Sequence, residues 1–512
     1  MVNGMNRLDY DLCSMQEARI LIENGRDAQR MLASFSQDRL DDIVAAMAEA
    51  VYPHAKELAL LSAEETGFGR WEDKYIKDIF ASRYVCRHMK GMKAVGIIAE
   101  DAEKKTLDIG IPVGVITALP PCTSPVSTTV YNALIAIKSG NAIIFSPHPR
   151  AQKVIGRTLD ILIDAGIKAG MPECAVEYLR TVTLSGTKEM IYHKDTSLIL
   201  ITSVPRLLPL VHASGKPAIY GGPGNGPAFI EKTADVKKAV RDIVFSRTFD
   251  NGIISAAEQS IVAEECIAED VRQELKHQGA YFLNEEETET IGKALFHHDG
   301  SINLQYVGRP AAEIASMNGI AVPAGTTVLI SEQKYADLCN PYAREKLCPV
   351  LAFYVERDWR NACEKCIELL CNKGLGNMLV IHSQNEEVIR EFALKKPVSR
   401  VLVNTPATVG GMGATTNLFP AFTLGLGAAG GTITSDNVSP MNLINIRKVG
   451  YGVRNLGELV QDITGTGQMQ QRTNPAQIMD RMRNEQEKAA VSGLIEEIVS
   501  ELKKQGIYGG DR

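Results

Sequence analysis

Three cysteines stand close enough together to do chemistry as a set: Cys363, Cys366 and Cys371, in DWRNACEKCIELLCNKG. A Cys-x-x-Cys pair offers two thiolates at a spacing that suits zinc, but a structural zinc site needs four ligands, and no second pair follows at such spacing. The apolar residues around the three cysteines return with helical period, so the expectation is a helix that buries reduced thiols. The ten cysteines of the chain are scattered, a usage that fits a reducing compartment rather than a disulfide framework. A second stretch with chemical promise is GLGAAGGTITSDN, Gly425 to Asn437. So many glycines suit tight turns or a close approach of backbone to another group.

These residues need elements to position them. From about residue 14 to 95 apolar residues recur every three or four positions, as in QDRLDDIVAAMAEAVYPHAKELALLSAEETG, which predicts a helical region. Short β-rich runs then alternate with helices: GIPVGVITALPP, NAIIFSPHPRA, the helix VIGRTLDILIDAG, AVEYLRTV and SLILITS. A second series starts near residue 241, with QSIVAE, TTVLISE, VLAFYVE, NMLVIHS and SRVLVNTP. Such alternation argues for two α/β units with parallel strands and crossover helices of Rossmann type. The chain has 512 residues, 45% apolar and 23% charged, enough for two or three compact domains.

Net charge is −6 with no dominant Lys/Arg cluster, so the electrostatic footprint of a nucleic-acid binder is missing. No run approaches the roughly 18 apolar residues of a membrane span, and the first residues carry no signal-peptide core. The expected location is the cytoplasm, without membrane contact. Near the C-terminus a polar stretch, DITGTGQMQQRTNPAQ, precedes MDRMRNEQEKAAVSGLIEEIVSELKKQGI. There Leu494, Ile495, Ile498, Val499 and Leu502 share one helical face. This helix either packs on its own domain or another subunit, or docks into a partner's groove.

Four segments bear on identity. They are Pro112 to Ala151, containing Ser146-Pro147-His148-Pro149-Arg150; HASGKPAIYGGPGNGPAFIE, containing Gly222-Pro223-Gly224-Asn225; FDNGIISAAEQS, Phe249 to Ser260; and REKLCPVLAFY, Arg344 to Tyr354. In this order, and continued by NTPATVGGMGATTNLFPAFTLGLGAAGGTITSDN, they resemble CoA-acylating aldehyde dehydrogenases, including the aldehyde half of bifunctional aldehyde-alcohol dehydrogenases. The likeness covers about residues 15 to 455.

The resemblance implies an α/β aldehyde dehydrogenase fold with a Rossmann-type cofactor domain, a second α/β catalytic domain and a small oligomerisation element. It divides the chain into helices plus NAD-binding domain at 1–240, catalytic domain at 241–425 and an oligomerisation element at 426–458. A linker at 459–476 and an amphipathic helix at 477–512 follow. It implies reversible oxidation of a short-chain aldehyde with coenzyme A and NAD to acyl-CoA and NADH. In the family a cysteine attacks the aldehyde, the thiohemiacetal gives up hydride, and the thiol of coenzyme A captures the thioester. Here that position is Ser255, followed by Glu258 and Gln259, and a hydroxyl is a far weaker nucleophile than a thiolate.

Other positions follow from the same resemblance. Thr123 is expected near the oxyanion pocket. Cys122 beside it is either a relocated nucleophile or a small buried residue. Asn377, in GLGNMLV, replaces a family histidine and so removes an acid/base group, and Leu426 replaces a late cysteine. Ser146, His148, Pro149 and Arg150 are expected at the cofactor, with His148 alternatively a polar residue at a strand end. Glu345 is expected at the nicotinamide ribose. Ser203-Val204-Pro205-Arg206 takes the place of a Gly-Gly-Pro-Gly cofactor turn, where Ser203 adds a side chain and Arg206 adds a charge that suits NAD or the extra phosphate of NADP. Tyr220 to Asn225 offers no carboxylate to activate water, which favours capture by a thiol. Two functions stay open: the acylating enzyme, and a disarmed relative that serves assembly. A homo-oligomer is implied, and the C-terminal helix resembles peptides that deliver such enzymes to a bacterial microcompartment shell.

Overall fold

The N-terminal region folds as its periodicity predicts, in helices at Tyr10–Leu32, Gln37–Val51, Ala55–Thr66 and Trp71–Ile79. The second of these shows why. Ser36 caps it by accepting from the Arg39 backbone N–H at 3.3 Å, and Leu40, Ile43, Val44, Met47 and Val51 are buried along one stripe. A π turn, Phe80–Tyr84, follows the fourth helix. The computed structural model describes residues 9–372, 374–464 and 485–504.

An antiparallel hairpin comes next, β1 (Gly96–Asp101) and β2 (Thr106–Pro112). Five parallel strands then form one sheet: β3 (Val115–Leu119), β4 (Ala142–Phe145), β5 (Val176–Tyr178), β6 (Thr196–Thr202) and β7 (Ala218–Gly221), in the order β5-β4-β3-β6-β7. A second parallel sheet contains β8 (Pro227–Ile230), β9 (Ser260–Glu264), β10 (Ala280–Phe282), β11 (Val328–Glu332), β12 (Val350–Glu356), β13 (Gly376–His382) and β14 (Val398–Val403). Its order is β10-β11-β12-β9-β8-β13-β14. Finally β15 (Ile444–Gly450) returns to pair beside β2.

Three sequence expectations shift. The run GIPVGVITALPP is two strands, because β2 ends at Pro112 and β3 starts at Val115 in a different sheet. The change of sheet comes before residue 241, since β8 at 227–230 already belongs to the seven-stranded sheet. The start of the expected linker is helical, over Leu456–Thr464. Residues 465–484 lie outside the described residues. The chain divides after Val449, and the second unit carries the C-terminal helix, described as Glu485–Lys504, on which Leu494, Ile495, Ile498 and Val499 are exposed.

Helix Pro125–Lys138 is buried along its whole length, as befits a segment with apolar residues on every side. In the late glycine-rich loop the predicted close approach is present. A Cβ at Gly425 would lie 2.4 Å from the Thr434 carbonyl oxygen, and Gly427 has φ +63°. Arg400 on β14, 4% exposed, gathers this loop by donating to the carbonyls of Gly425, Ser435 and Asp436 at 2.8, 2.9 and 2.9 Å. It also donates to the Asn437 side chain and, at 3.4 Å, to the Asn377 carbonyl. Replacing Arg400 by Met leaves these buried acceptors unpaired. We expect a loss of about 3 kcal/mol, read as a lowered urea midpoint with the slope unchanged.

Candidate active site

In the five-stranded sheet β3 has β4 on one side and β6 on the other, so the chain order reverses there and leaves a crevice beyond the carboxyl ends of these strands. After β3 the chain runs through Pro121, Cys122, Thr123 and Ser124 into helix Pro125–Lys138, where proline suits the first turn. After β6 it turns at Ser203, whose φ is +50°. A cavity opens here, with about 560 Å³ of space including its mouth, lined by Thr123, Thr202, Ser203, Ser255, Asn377 and the apolar side chains of Ile253, Met412, Phe422 and Leu424. Among the described residues no charged side chain lines it.

Ser255 is brought there by an unusual turn. Asp250, Asn251 and Gly252 have φ of +50°, +52° and +70°, which costs of order 1 kcal/mol for each of the two non-glycine residues. A buried ion cluster holds it. The Asp250 carboxylate accepts from Lys74 at 3.2 Å, from Lys77 at 2.5 Å and from the Arg70 backbone N–H at 2.7 Å. Lys74 also donates to the Thr123 carbonyl at 3.2 Å, and Lys77 to the Ser124 hydroxyl at 2.8 Å. The two lysines, three apart on one helix, therefore tie the turn that carries Ser255 to the loop that carries Thr123. Burial alone would raise the Asp250 carboxyl, but the two ammonium groups outweigh it and hold it below the ordinary range. Burial also lowers Lys74, against the pull of Asp250.

The opposite wall is Asn377, 2% exposed, on β13. Its amide donates to the Pro223 carbonyl at 3.0 Å, and its amide oxygen has no hydrogen-bond partner among the described residues. Gly224 separates it from Ser255, for a Cβ at 224 would lie 1.8 Å from the Ser255 carbonyl oxygen. The Gly224 N–H donates to Glu345 at 2.8 Å. Burial raises the Glu345 carboxyl to about 7. Glu258, three residues beyond Ser255, accepts from the Ala407 N–H at 2.8 Å and is likewise raised by burial to about 7.

The aldehyde dehydrogenase family matches residues 3–289, which is more than half of the chain. The chain belongs to the aldehyde dehydrogenase family. Bifunctional aldehyde-alcohol dehydrogenase AdhE of Escherichia coli (strain K12) is 38% identical over 448 residues, 86% of this chain and 50% of that protein. The chain thus spans about half the length of these bifunctional relatives. Succinate-semialdehyde dehydrogenase (acetylating) of Clostridium kluyveri is 35% identical, over 84% of this chain and 95% of that one. Among solved structures, a probable aldehyde dehydrogenase from Listeria monocytogenes EGD-e superposes with a TM-score of 0.86 at 48% identity, covering 88% of this chain and all of that one. An acetylating aldehyde dehydrogenase from Geobacillus thermoglucosidasius gives 0.85 at 42%, covering 88% and 99%. A propionaldehyde dehydrogenase from a Clostridium phytofermentans fucose utilisation microcompartment gives 0.77 at 29%, covering 84% and 96%. The resemblance read from the four motifs is borne out, and so is the α/β aldehyde dehydrogenase fold with its Rossmann-type sheets.

Of the residues expected at the site of this aldehyde dehydrogenase, the cavity unites Thr123, Ser203, Ser255 and Asn377. It does not take in Cys122. That side chain packs with the buried cluster of Phe68, Ile253 and Val307, and burial raises its thiol against the opposing charge of Arg150. A thiol so placed is a poor nucleophile. Ser146 is buried and shares a hydrogen bond with the Thr187 hydroxyl at 2.9 Å. His148 lies just past β4, its Nδ1 accepting from the Arg150 N–H at 3.1 Å. Burial, helped by the Arg150 charge, lowers its imidazole to about 4. Pro149, Arg150 and Arg206 are exposed, and Leu426 is buried against Tyr220 in an apolar cluster.

The family's nicotinamide cofactor finds a matching frame. The crevice lies at the reversal of strand order, and Ser203 after β6 holds a left-handed backbone at φ +50°. His148 and Arg150 follow β4 in the chain, and Arg206 follows β6. Sequence reasoning missed Lys74 and Lys77, which sit in an ordinary amphipathic helix 173 or more residues from Asp250.

Two outcomes are expected. Asp250→Asn leaves two buried ammonium groups facing a neutral amide, which should cost about 3 to 5 kcal/mol in a thermal or urea melt. The folded protein holds the Glu258 proton up to about 7, whereas the unfolded chain releases it near 4.5. Stability therefore falls as pH rises through that window. Glu258→Gln should remove this share of the fall, about 3 kcal/mol, in melts at pH 5 and pH 8.

Proposed function

We propose that this chain acts on a short, uncharged aldehyde in the cavity beside Ser255, passing its acyl group to coenzyme A with a nicotinamide cofactor as oxidant. The observation that carries the reading is the meeting of Ser255, Thr123 and Ser203 at one cavity beyond β3 and β6. A lining without charged side chains suits an aldehyde without an ionised group. When bound, the cofactor supplies the hydride acceptor. The chain's own residues supply the rest: the Ser255 hydroxyl faces the carbonyl carbon, the backbone of the 250–255 turn is fixed for the developing oxyanion, and the apolar side chains keep water out. Ser203 and Arg206 form the turn toward the cofactor, and NAD and NADP remain the two candidates for it. Glu345 borders the site through Gly224.

One observation favours a second reading, a disarmed relative with a role in assembly. Ser255 Oγ has no hydrogen-bond partner among the described residues, and the neighbouring Asn377 is no base. An unactivated serine reacts slowly. The neighbour from a microcompartment and the exposed Leu494, Ile495, Ile498 and Val499 support docking of the C-terminal helix on a shell. A cytoplasmic homo-oligomer, with residues 426–458 as its oligomerisation element, completes the proposal.

The test is NADH formation from propionaldehyde and coenzyme A. The natural protein should be slow, Ser255→Cys should gain about 100-fold or more, and Cys122→Ser should leave the rate unchanged. Silence in all variants would overturn the enzymatic reading. Deletion beyond residue 476 should release the protein from co-purified shells while its melting temperature stays the same; unfolding on deletion would overturn the docking proposal.

A further inference from the structure

Cys363, Cys366 and Cys371 lie outside the lining of the Ser255 cavity. In helix Trp359–Cys371 the side chains of Cys363 and Cys366 are buried and Cys371 is exposed. Lys396, in the segment just before β14, reaches into this helix. Its amine lies 2.5 Å from the Cys363 sulfur and 3.0 Å from the Cys363 carbonyl oxygen. Both residues are nearly sealed, with Cys363 2% and Lys396 9% exposed. The two contacts above are the only hydrogen bonds of the amine among the described residues, and the Phe392 ring lies 3.9 Å from it. An amine buried against a thiol, without a carboxylate, is an unusual use of lysine.

We propose that Cys363 and Lys396 form a site of oxidative cross-linking, in which a peroxide oxidises the Cys363 sulfur and the Lys396 nitrogen then bonds to it. The steps balance. The thiol reacts with hydrogen peroxide to give the sulfenic acid and water, the O–O bond breaking as the S–O bond forms. The amine then attacks the sulfur, the S–O bond breaks, and hydroxide leaves with a proton from the nitrogen as a second water. A sulfenamide, S–NH, remains. One peroxide is reduced, and sulfur gives up two electrons. Dithiothreitol returns the thiol and the amine.

Access and selectivity are both built in. Cys363 contributes to a surface depression together with Trp359, Arg360 and Lys395, a route for a small oxidant. The competing partner is Cys366, three residues along the same helix. Burial pushes its thiol up to about 12, so it offers little thiolate to attack a sulfenic acid. The cross-link would fasten helix Trp359–Cys371 to the segment whose Pro397 carbonyl accepts from Gly376 at 2.9 Å. Gly376 precedes Asn377 of the cavity.

The experiment needs no catalytic activity. The natural protein is treated with hydrogen peroxide, alkylated, digested with trypsin and analysed by mass spectrometry. Cleavage after Arg360 and Lys365 isolates Cys363 in Asn361–Lys365, apart from Cys366, and Lys396 falls in Lys396–Arg400. The expected result is these two peptides joined with the loss of two hydrogens. The species should disappear after dithiothreitol, persist in Cys366→Ser, and be absent from Cys363→Ser and Lys396→Arg. A Cys363–Cys366 disulfide, or a Cys363 sulfinic or sulfonic acid with Lys396 unmodified, would overturn the proposal. A joined pair carrying one further oxygen would overturn the condensation step and place oxygen between sulfur and nitrogen.

Discussion

The part of the cavity that holds Ser255 and Thr123 depends on one buried carboxylate. Asp250 is inaccessible, as are its partners Lys74 and Lys77, and charges so placed are tolerable only when each finds an opposite charge or a full set of hydrogen bonds. Here two ammonium groups converge on one carboxylate, and their remaining protons go to the Thr123 carbonyl and the Ser124 hydroxyl. Asp78 is buried beside them, and burial raises its carboxyl well above the ordinary range. The cluster can hold the backbone of Asp250 and Asn251 in the left-handed region because the ion pairs leave the turn no cheaper arrangement. The same cluster thus ties the turn before Ser255 to the loop that carries Thr123.

Behind the cavity lies a second buried set with different logic. Arg247 is fully buried, and its guanidinium has no hydrogen-bond partner among the described residues. Burial lowers it to about 10, with Cys348, Glu258 and Glu345 opposing the shift. Lys346, also buried, spends its protons on the carbonyls of Tyr342 and Arg344 at 2.7 and 2.8 Å. Burial thus discourages ionisation across this set, lowering Lys346 well below its ordinary range and raising Glu258 and Glu345 to about 7. Among the described residues none of these charged groups lines the cavity, so its lining stays neutral.

Close backbone contacts fix the shape of the site. Gly224 must be glycine because the Ser255 carbonyl lies where its Cβ would be. Ser203 occupies a glycine-like conformation at a cost, and the hydrogen bond from its N–H to the Gly221 carbonyl at 2.7 Å keeps the turn closed. Ser255 and Asn377 both line the cavity that this backbone shapes.

The alternation of strands and helices was legible in the sequence because hydrophobic period is a local signal, while the family and the expected positions of Ser255, Thr123, Ser203 and Asn377 came from the resemblance that the ordered motifs carry. Strands β8 and β10, only four and three residues long, were not legible, since their pairing partners rather than their own patterns make them strands. Likewise Lys74 and Lys77 look like solvated residues of an amphipathic helix until the fold brings Asp250 to them across 173 or more residues. The burial of Cys363 was expected from helical period. Its meeting with Lys396 was decided only by tertiary packing, because a contact between residues 33 apart leaves no trace in the period of either segment.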